Sequence, residues 1–329
     1  MTARAKPAAR LGASPELRRY DDIRALLPGV DNPTPLVALR RVMPAGGVDL
    51  YLKLEWLNPF GSVKDRAAAA MVERIAAAGG LEGREMVEAS SGNTAIALAA
   101  LAALQGTKLT VTIPDGVPEE KMILLRMLGA EVWPTPDDLC PVDHPKDGAI
   151  ALARSIAAAG GDRYVMPDQY GNRDNVRAHY ETTGPEIWRQ TEGRVRHFLA
   201  GVGTSGTITG VGRYLKERDP EIQIVAVEPQ PGHRLPGLKS FAEASVPPII
   251  DWDVIDRRVV VDDDSAYDTT RRLFREEGLI VGPSTGAVVS AASSLDTGPG
   301  IAVGISADGG FKYASYFREI LGDEGKPQI

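Results

Sequence analysis

The sequence predicts an α/β protein of two doubly wound domains, and three observations carry that expectation. Short β-branched runs alternate with alanine-rich stretches of helical spacing along most of the chain, the rhythm of parallel sheets covered by helices on both faces. A length of 329 residues exceeds what one hydrophobic core usually serves and suits two. Two strand-to-helix junctions are rich in Gly, Ser and Thr, as ligand-binding junctions of such sheets are.

Taken in order, the chain begins with MTARAKPAARLGASP, which has basic but no acidic side chains and no long apolar run. It is not a secretory signal, and although its composition resembles an organelle transit peptide, residues 1–19 read as a disordered tail. Strands are expected at 48–54, 86–89, 109–113, 131–134, 197–200, 222–227, 258–261 and 301–305, where Val, Ile and Leu cluster. Helices are expected at 64–78, 93–103, 119–128, 147–159, 175–190, 207–217, 266–277 and 286–294. The natural grouping is a smaller domain over 47–165 and a larger one made of 20–46 with 166–329. The stretch 229–255 is long, Pro-rich and irregular, and a loop of that length inside a compact domain is usually functional.

Composition narrows the function. Hydrophobic residues at 43% and charged residues at 25% suit a globular chain. The balance of 37 Lys+Arg against 44 Asp+Glu gives −7, without the basic footprint that nucleic acid or an anionic membrane surface demands. No run approaches the roughly 18 apolar residues of a membrane span. A single cysteine, Cys140, allows no internal disulfide and fits a reducing, cytoplasmic setting. It reads as a passive thiol, and the four scattered histidines have no metal-ligand spacing. The run Asp262–Asp264 reads as a helix cap with a solvated face.

The Gly-rich junctions are EASSGNTAIALAA, opening a helix after Glu88, and FLAGVGTSGTITG, opening another after Gly206. Unpaired N–H groups and hydroxyls at a helix start form an anion cradle, and glycine lets the anion approach the backbone. Gly201-Val-Gly203-Thr-Ser-Gly206 also matches G-x-G-x-x-G, with Glu228 where a ribose-binding acid would stand. On these residues alone, a nicotinamide-dependent dehydrogenase and a phosphate-bearing cofactor both remain open. In NPFGSVKDRAAAAM, Lys64 falls in the first turn of a helix with Ser62 as its cap. A cation opposes the macrodipole there, and the same field lowers a lysine pKa as Schiff-base chemistry requires.

NPFGSVKDRAA resembles the lysine motif of the cysteine synthase branch (O-acetylserine and O-phosphoserine sulfhydrylases) of the fold type II pyridoxal-phosphate enzymes. The loop Ser91–Thr94, ETTGPEIW, GVGTSGT, GPSTGA, NPTPLVAL and DGGFKY agree in the same order. The resemblance implies a tryptophan synthase β-like architecture with pyridoxal 5′-phosphate as cofactor, and it turns GVGTSG into a cofactor-phosphate loop. It implies Lys64 as the Schiff-base lysine and the base for the Cα proton. Asn93 would bond the cofactor's 3′-oxygen, Gly203, Thr204, Ser205, Gly206 and Thr207 its phosphate, and Ser284 the pyridine nitrogen. Ser90, Ser91, Asn93, Thr94 and Gln169 would hold the substrate carboxylate. A hydroxyl at the pyridine nitrogen favours β-elimination over transamination.

The implied activity is β-replacement on an activated serine by sulfide, giving cysteine. Other readings are a cystathionine β-synthase-like condensation of serine with homocysteine, and a cofactor-binding regulatory partner without turnover. A threonine dehydratase fits less well, because Thr94 follows Asn93 where that branch usually has His. Phe60, Ala95 and Ser205 depart from the commonest family pattern, and the first two border the substrate side. Arg234 and Lys239 are cations suited to a phosphorylated donor. The family expectation is a homodimer, with a sulfur-carrier protein or a serine acetyltransferase as protein partners.

Overall fold

The computed structural model describes residues 18–43, 49–90, 92–115, 117, 119–135, 148–295 and 300–321. Most of the expected tail, Ser91 and Cys140 lie outside them. Among the described residues, ten strands and their covering helices form two sheets.

The larger sheet has the order β1-β2-β10-β7-β8-β9. It is built from β1 (Leu36–Ala38), β2 (Asp49–Leu54), β7 (Val195–Gly201), β8 (Gln223–Pro229), β9 (Arg257–Val261) and β10 (Ile301–Ser306). All neighbours run parallel except β1, which pairs antiparallel with β2. Alternate side chains go to opposite faces, and both faces are buried. Phe198, Ala200, Ile224, Ala226, Val303 and Ile305 pack with α6 (Gly184–Gln190) and α7 (Gly206–Arg218). Leu199, Val225, Val227 and Ala302 pack on the other side with α8 (Asp263–Arg272) and α9 (Pro283–Ser293). Two covered faces explain why these strands read as nearly continuous apolar runs.

The smaller sheet is wholly parallel, in the order β5-β4-β3-β6. Its strands are β3 (Glu85–Ala89), β4 (Leu109–Pro114), β5 (Glu131–Thr135) and β6 (Tyr164–Val165). One face packs on α1 (Lys64–Ala77), α2 (Asn93–Gln105) and α3 (Glu119–Met127), and the other on α4 (Ala149–Gly160). β2 departs from the expected grouping of 47–165: it lies between β1 and β10, so its hydrogen bonds belong to the larger sheet.

Three elements escape the sequence pattern. β1 is three residues beside Pro33 and Pro35, β6 is two residues, and α10 (Ala314–Leu321) follows DGGFKY without a break. The expected helix 175–190 is instead α5 (Arg173–Ala178), a π turn His179–Thr183 and α6. Pro185 has no N–H for the carbonyl four residues back, and Gly184 donates to His179 across the wider turn. Asp262 caps α8, accepting from the Ser265 amide at 2.7 Å.

Candidate active site

A cavity of about 610 Å³ opens at the carboxyl ends of the strands of both sheets. Lys64, Ser90, Asn93, Thr94, Gln169, Gly203, Thr204, Thr207, Ser284, Arg234 and Lys239 line it. Residues separated by more than two hundred positions thus face one space.

Lys64 is the first residue of α1, and its amide donates to the Ser62 hydroxyl at 3.2 Å. Burial pulls its ammonium below the ordinary lysine value, and the Asp308 carboxylate pulls it partly back. Two residues on, Arg66 anchors the same helix in a buried ionic cluster. It bonds Glu55 at 2.7 Å and Glu186 at 2.6 Å, and Lys53 bonds Glu186 at 2.6 Å. Burial alone would push Glu55 up, but the Arg66 guanidinium and Lys53 hold it at about 2.

The second Gly-rich junction is a built cradle. A Cβ on Gly203 would stand 2.7 Å from the Gly237 carbonyl, and one on Gly206 would collide with the Asn175 amide. Ser205 adopts φ 68°, the left-handed region, where glycine is the usual residue. Ser205 and Gly206 lie just behind the cavity wall, and the buried Ser205 hydroxyl has no hydrogen-bond partner. Thr204 accepts from Asn175 Nδ2 at 3.1 Å. Thr207 meets His179 Nε2 at 3.2 Å, and burial holds that imidazole down at about 3, hence neutral. An orphaned hydroxyl beside the free amides of the α7 start fits a phosphate.

Glu228 is placed otherwise than a ribose acid requires. It closes β8 away from the cavity wall and accepts from Arg258 at 2.6 Å, which removes the dinucleotide reading.

At the first junction, the Ser90 hydroxyl accepts from the Ala95 amide at 3.1 Å and so caps α2 from outside. Thr94 donates to Gln169 Oε1 at 2.6 Å, and Gln169 Nε2 donates to the Ala89 carbonyl at 2.8 Å. Asn93 is held at both ends of its amide. Its Nδ2 donates to Asp308 at 2.6 Å, and its Oδ1 accepts from Lys312 Nζ at 2.9 Å. Asp308 Oδ2 also accepts from the Tyr313 hydroxyl, while its buried Oδ1 has no partner.

Asp308, Tyr313, Lys312 and Lys121 are site residues to which no role was assigned from sequence. DGGFKY carried the first three as a motif match, and Lys121 gave no signal. Lys239 is half-buried, with its Nζ 4.5 Å from the Tyr170 ring centroid, and its amide bonds the Val202 carbonyl at 2.9 Å. The Arg234 side chain is 66% exposed and lies 3.7 Å from Asp263. The two cations expected at the donor both line the cavity but differ in exposure: Lys239 stacks over Tyr170, and the Arg234 side chain is largely exposed.

A lysine at a helix start, a Gly-rich cradle of a size for phosphate and the Ser284 hydroxyl share one inter-sheet cavity, an arrangement that suits a pyridoxal-phosphate enzyme. Residues 28–306 match the family of pyridoxal-phosphate dependent enzymes, and the chain belongs to it. Its cofactor is pyridoxal 5′-phosphate. Within that family, cysteine synthase B of Salmonella typhimurium is 40% identical over 294 residues, which are 88% of this chain and 94% of that one. Among solved structures, O-ureido-L-serine synthase is 34% identical with a TM-score of 0.83, over 94% of this chain and 98% of that one. Cysteine synthase (OASS) from Entamoeba histolytica is 29% identical with a TM-score of 0.82, over 99% of this chain and 96% of that one. Among the described residues, no group of His, Cys, Asp and Glu could hold a metal, and no helix is long and apolar enough to cross a membrane.

Proposed function

We infer that the protein is a pyridoxal-phosphate-dependent cysteine synthase, replacing the β-substituent of an activated L-serine with sulfide. The carrying observation is the convergence of Lys64, of Gly203, Thr204 and Thr207, of Ser284, and of Ser90, Asn93 and Thr94 on one cavity. Cysteine synthase relatives along most of the chain support the same reading. They do not favour condensation of serine with homocysteine.

When bound, the cofactor supplies an electron sink that weakens the Cα–H bond of an attached amino acid and the bond to its β-substituent. The residues of this chain do the rest. Gly203–Thr207 hold the phosphate at the α7 start, Asn93 the ring oxygen, and Ser284 the ring nitrogen. The α2 start with Ser90, Ser91 and Thr94 receives the substrate carboxylate, and Gln169 braces Thr94. Lys64 Nζ, whose charged form burial disfavours, takes the proton from Cα. The leaving group departs Cβ with its bonding electrons, and the sulfur nucleophile supplies the new pair. The body on the smaller sheet closes over the substrate during this cycle.

The donor is O-phosphoserine or O-acetylserine. Lys239 in the cavity wall favours the phosphorylated donor, because a phosphoryl leaving group carries about two charges at neutral pH. The working form proposed is a cytoplasmic homodimer, with a sulfur-carrier protein or a serine acetyltransferase as candidate partner.

Titration of the purified yellow protein with each donor, sulfide absent, tests this. A donor that is used shifts the visible band and releases phosphate or acetate in stoichiometric amount. Lys239→Met should weaken O-phosphoserine by about tenfold and leave O-acetylserine nearly unchanged. A protein that stays colourless with added pyridoxal phosphate would sink the reading.

A further inference from the structure

Lys121 occupies a costly position. It is only 8% exposed and lies in the first turn of α3, where the macrodipole opposes a cation. Burial lowers its pKa first of all, and of the charges around it Lys312 opposes the ammonium while Asp308 and Glu120 support it. No carboxylate among the described residues forms a salt bridge with it. Instead its Nζ stands over the Tyr313 ring at 4.9 Å and the Tyr316 ring at 6.0 Å. A buried cation without a bonded anion is rare, and its presence marks a place where an anion binds.

The ammonium is aimed at one spot. Lys121 lines the cavity, and its Nζ lies 3.7 Å from where a Cβ on Gly92 would stand. Gly92 is the residue immediately before α2. The positive end of α2, where the Gly92 and Ala95 amides already turn to the Ser90 hydroxyl, and the ammonium of Lys121 therefore meet at one place from two elements. Lys239, at the opposite loop over Tyr170, is placed for a different part of the substrate.

We propose that Lys121 binds the α-carboxylate of the amino-acid substrate, completing with the α2 start a two-sided carboxylate site. This rests on the amino-acid chemistry inferred above. The site selects free α-amino acids over their amides or esters, because a neutral carbonyl gains little from an ammonium. With a carboxylate in place, Lys121 gains a charge-assisted bond that Tyr313 and Tyr316 cannot supply.

The test compares L-serine with L-serinamide as ligands of the cofactor-loaded protein. Binding is read from the visible spectrum and independently by calorimetry, with no turnover required. The wild type should bind L-serine the more tightly. Lys121→Met should weaken L-serine by about tenfold or more, leave L-serinamide unchanged, and raise the thermal midpoint of the unliganded protein. Lys121→Arg should recover most of the L-serine affinity. If Lys121→Met fails to fold, Lys121→Gln reads the same ratio. Equal weakening of both ligands, or of neither, overturns the role of Lys121 while leaving the cofactor assignment intact. A yellow wild-type protein that responds to neither ligand overturns the amino-acid reading and this inference with it.

Discussion

Lys64 works against its surroundings: a half-buried ammonium at a helix start is opposed by the helix field and only partly supported by Asp308. Lys64→Ala should abolish the visible band formed with the cofactor. It should also slow cysteine formation by at least about 10²–10⁴-fold, the share of proton transfer alone. Spectra and single-turnover assays check the two effects separately. At this scale the sequence was informative wherever a residue sits in a motif of the resemblance, as with Lys64 and Ser284, both of which line the cavity. It was silent on Lys121, which stands in EEKMILL like any solvated helical lysine. Only the folding of α10 beside α3, with Tyr313 and Tyr316 under the ammonium, makes it a cavity residue. Arg234 and Lys239 were equal in sequence, and the path of the 229–255 loop separates them.

Among the elements, α1 matters most, because it carries both Lys64 and the Arg66 cluster. The guanidinium joins Glu55, just after β2, to Glu186 on α6, so the lysine's helix is pinned to the larger sheet's side of the cavity. Arg66→Met would leave two buried carboxylates sharing only Lys53. It should cost about 3–5 kcal/mol, the range for breaking a buried ion pair from one side. Denaturant unfolding measures this, and Lys64 reactivity should change in the same variant. Helices and strands with long apolar runs were legible because period and composition agree. β1 and β6 are too short to show a period, and α10 carries no start signal after DGGFKY. The π turn at His179–Thr183 reflects Pro185 and the contact of Gly184 with Tyr214, a tertiary fact.

For the whole molecule, buried titratable groups set the dependence of stability on pH. Glu88 is buried at the end of β3 without a well-formed hydrogen bond. Burial first, then the Asp168 carboxylate, pushes it from 4.5 up to about 8 against the pull of nearby amides. Burial likewise raises Asp65 from 3.8 to about 7. Acids with raised values hold their protons more tightly when folded. Their contribution is therefore full below the ordinary values and lost as pH rises through about 7 and 8. His179 and Glu55 act in the opposite sense. Burial lowers His179 from 6.5 to about 3, and Arg66 lowers Glu55 from 4.5 to about 2 despite burial. Their contributions are lost as pH falls through those intervals. Stability should thus pass through a maximum in mildly acidic solution, and Glu88→Gln should flatten the decline between about 4.5 and 8. Thermal midpoints across that range, wild type against variant, measure the effect.

The sequence alone sufficed for the α/β class, the order of most elements and the motifs whose family resemblance implies a phosphate-bearing cofactor. These follow from local rules: side-chain period, helix-start chemistry and the need for glycine where backbone or ligand comes close. Tertiary structure decided that β2 belongs to the larger sheet, that Glu228 pairs with Arg258 rather than facing a ligand, and that Lys239 packs over Tyr170 while Arg234 stays largely exposed. It also brought Asp308 and Lys312 onto Asn93 and carried Lys121 to the start of α2. Those outcomes depend on desolvation and on distances between segments far apart in the chain, and neither quantity is written in any local stretch of residues.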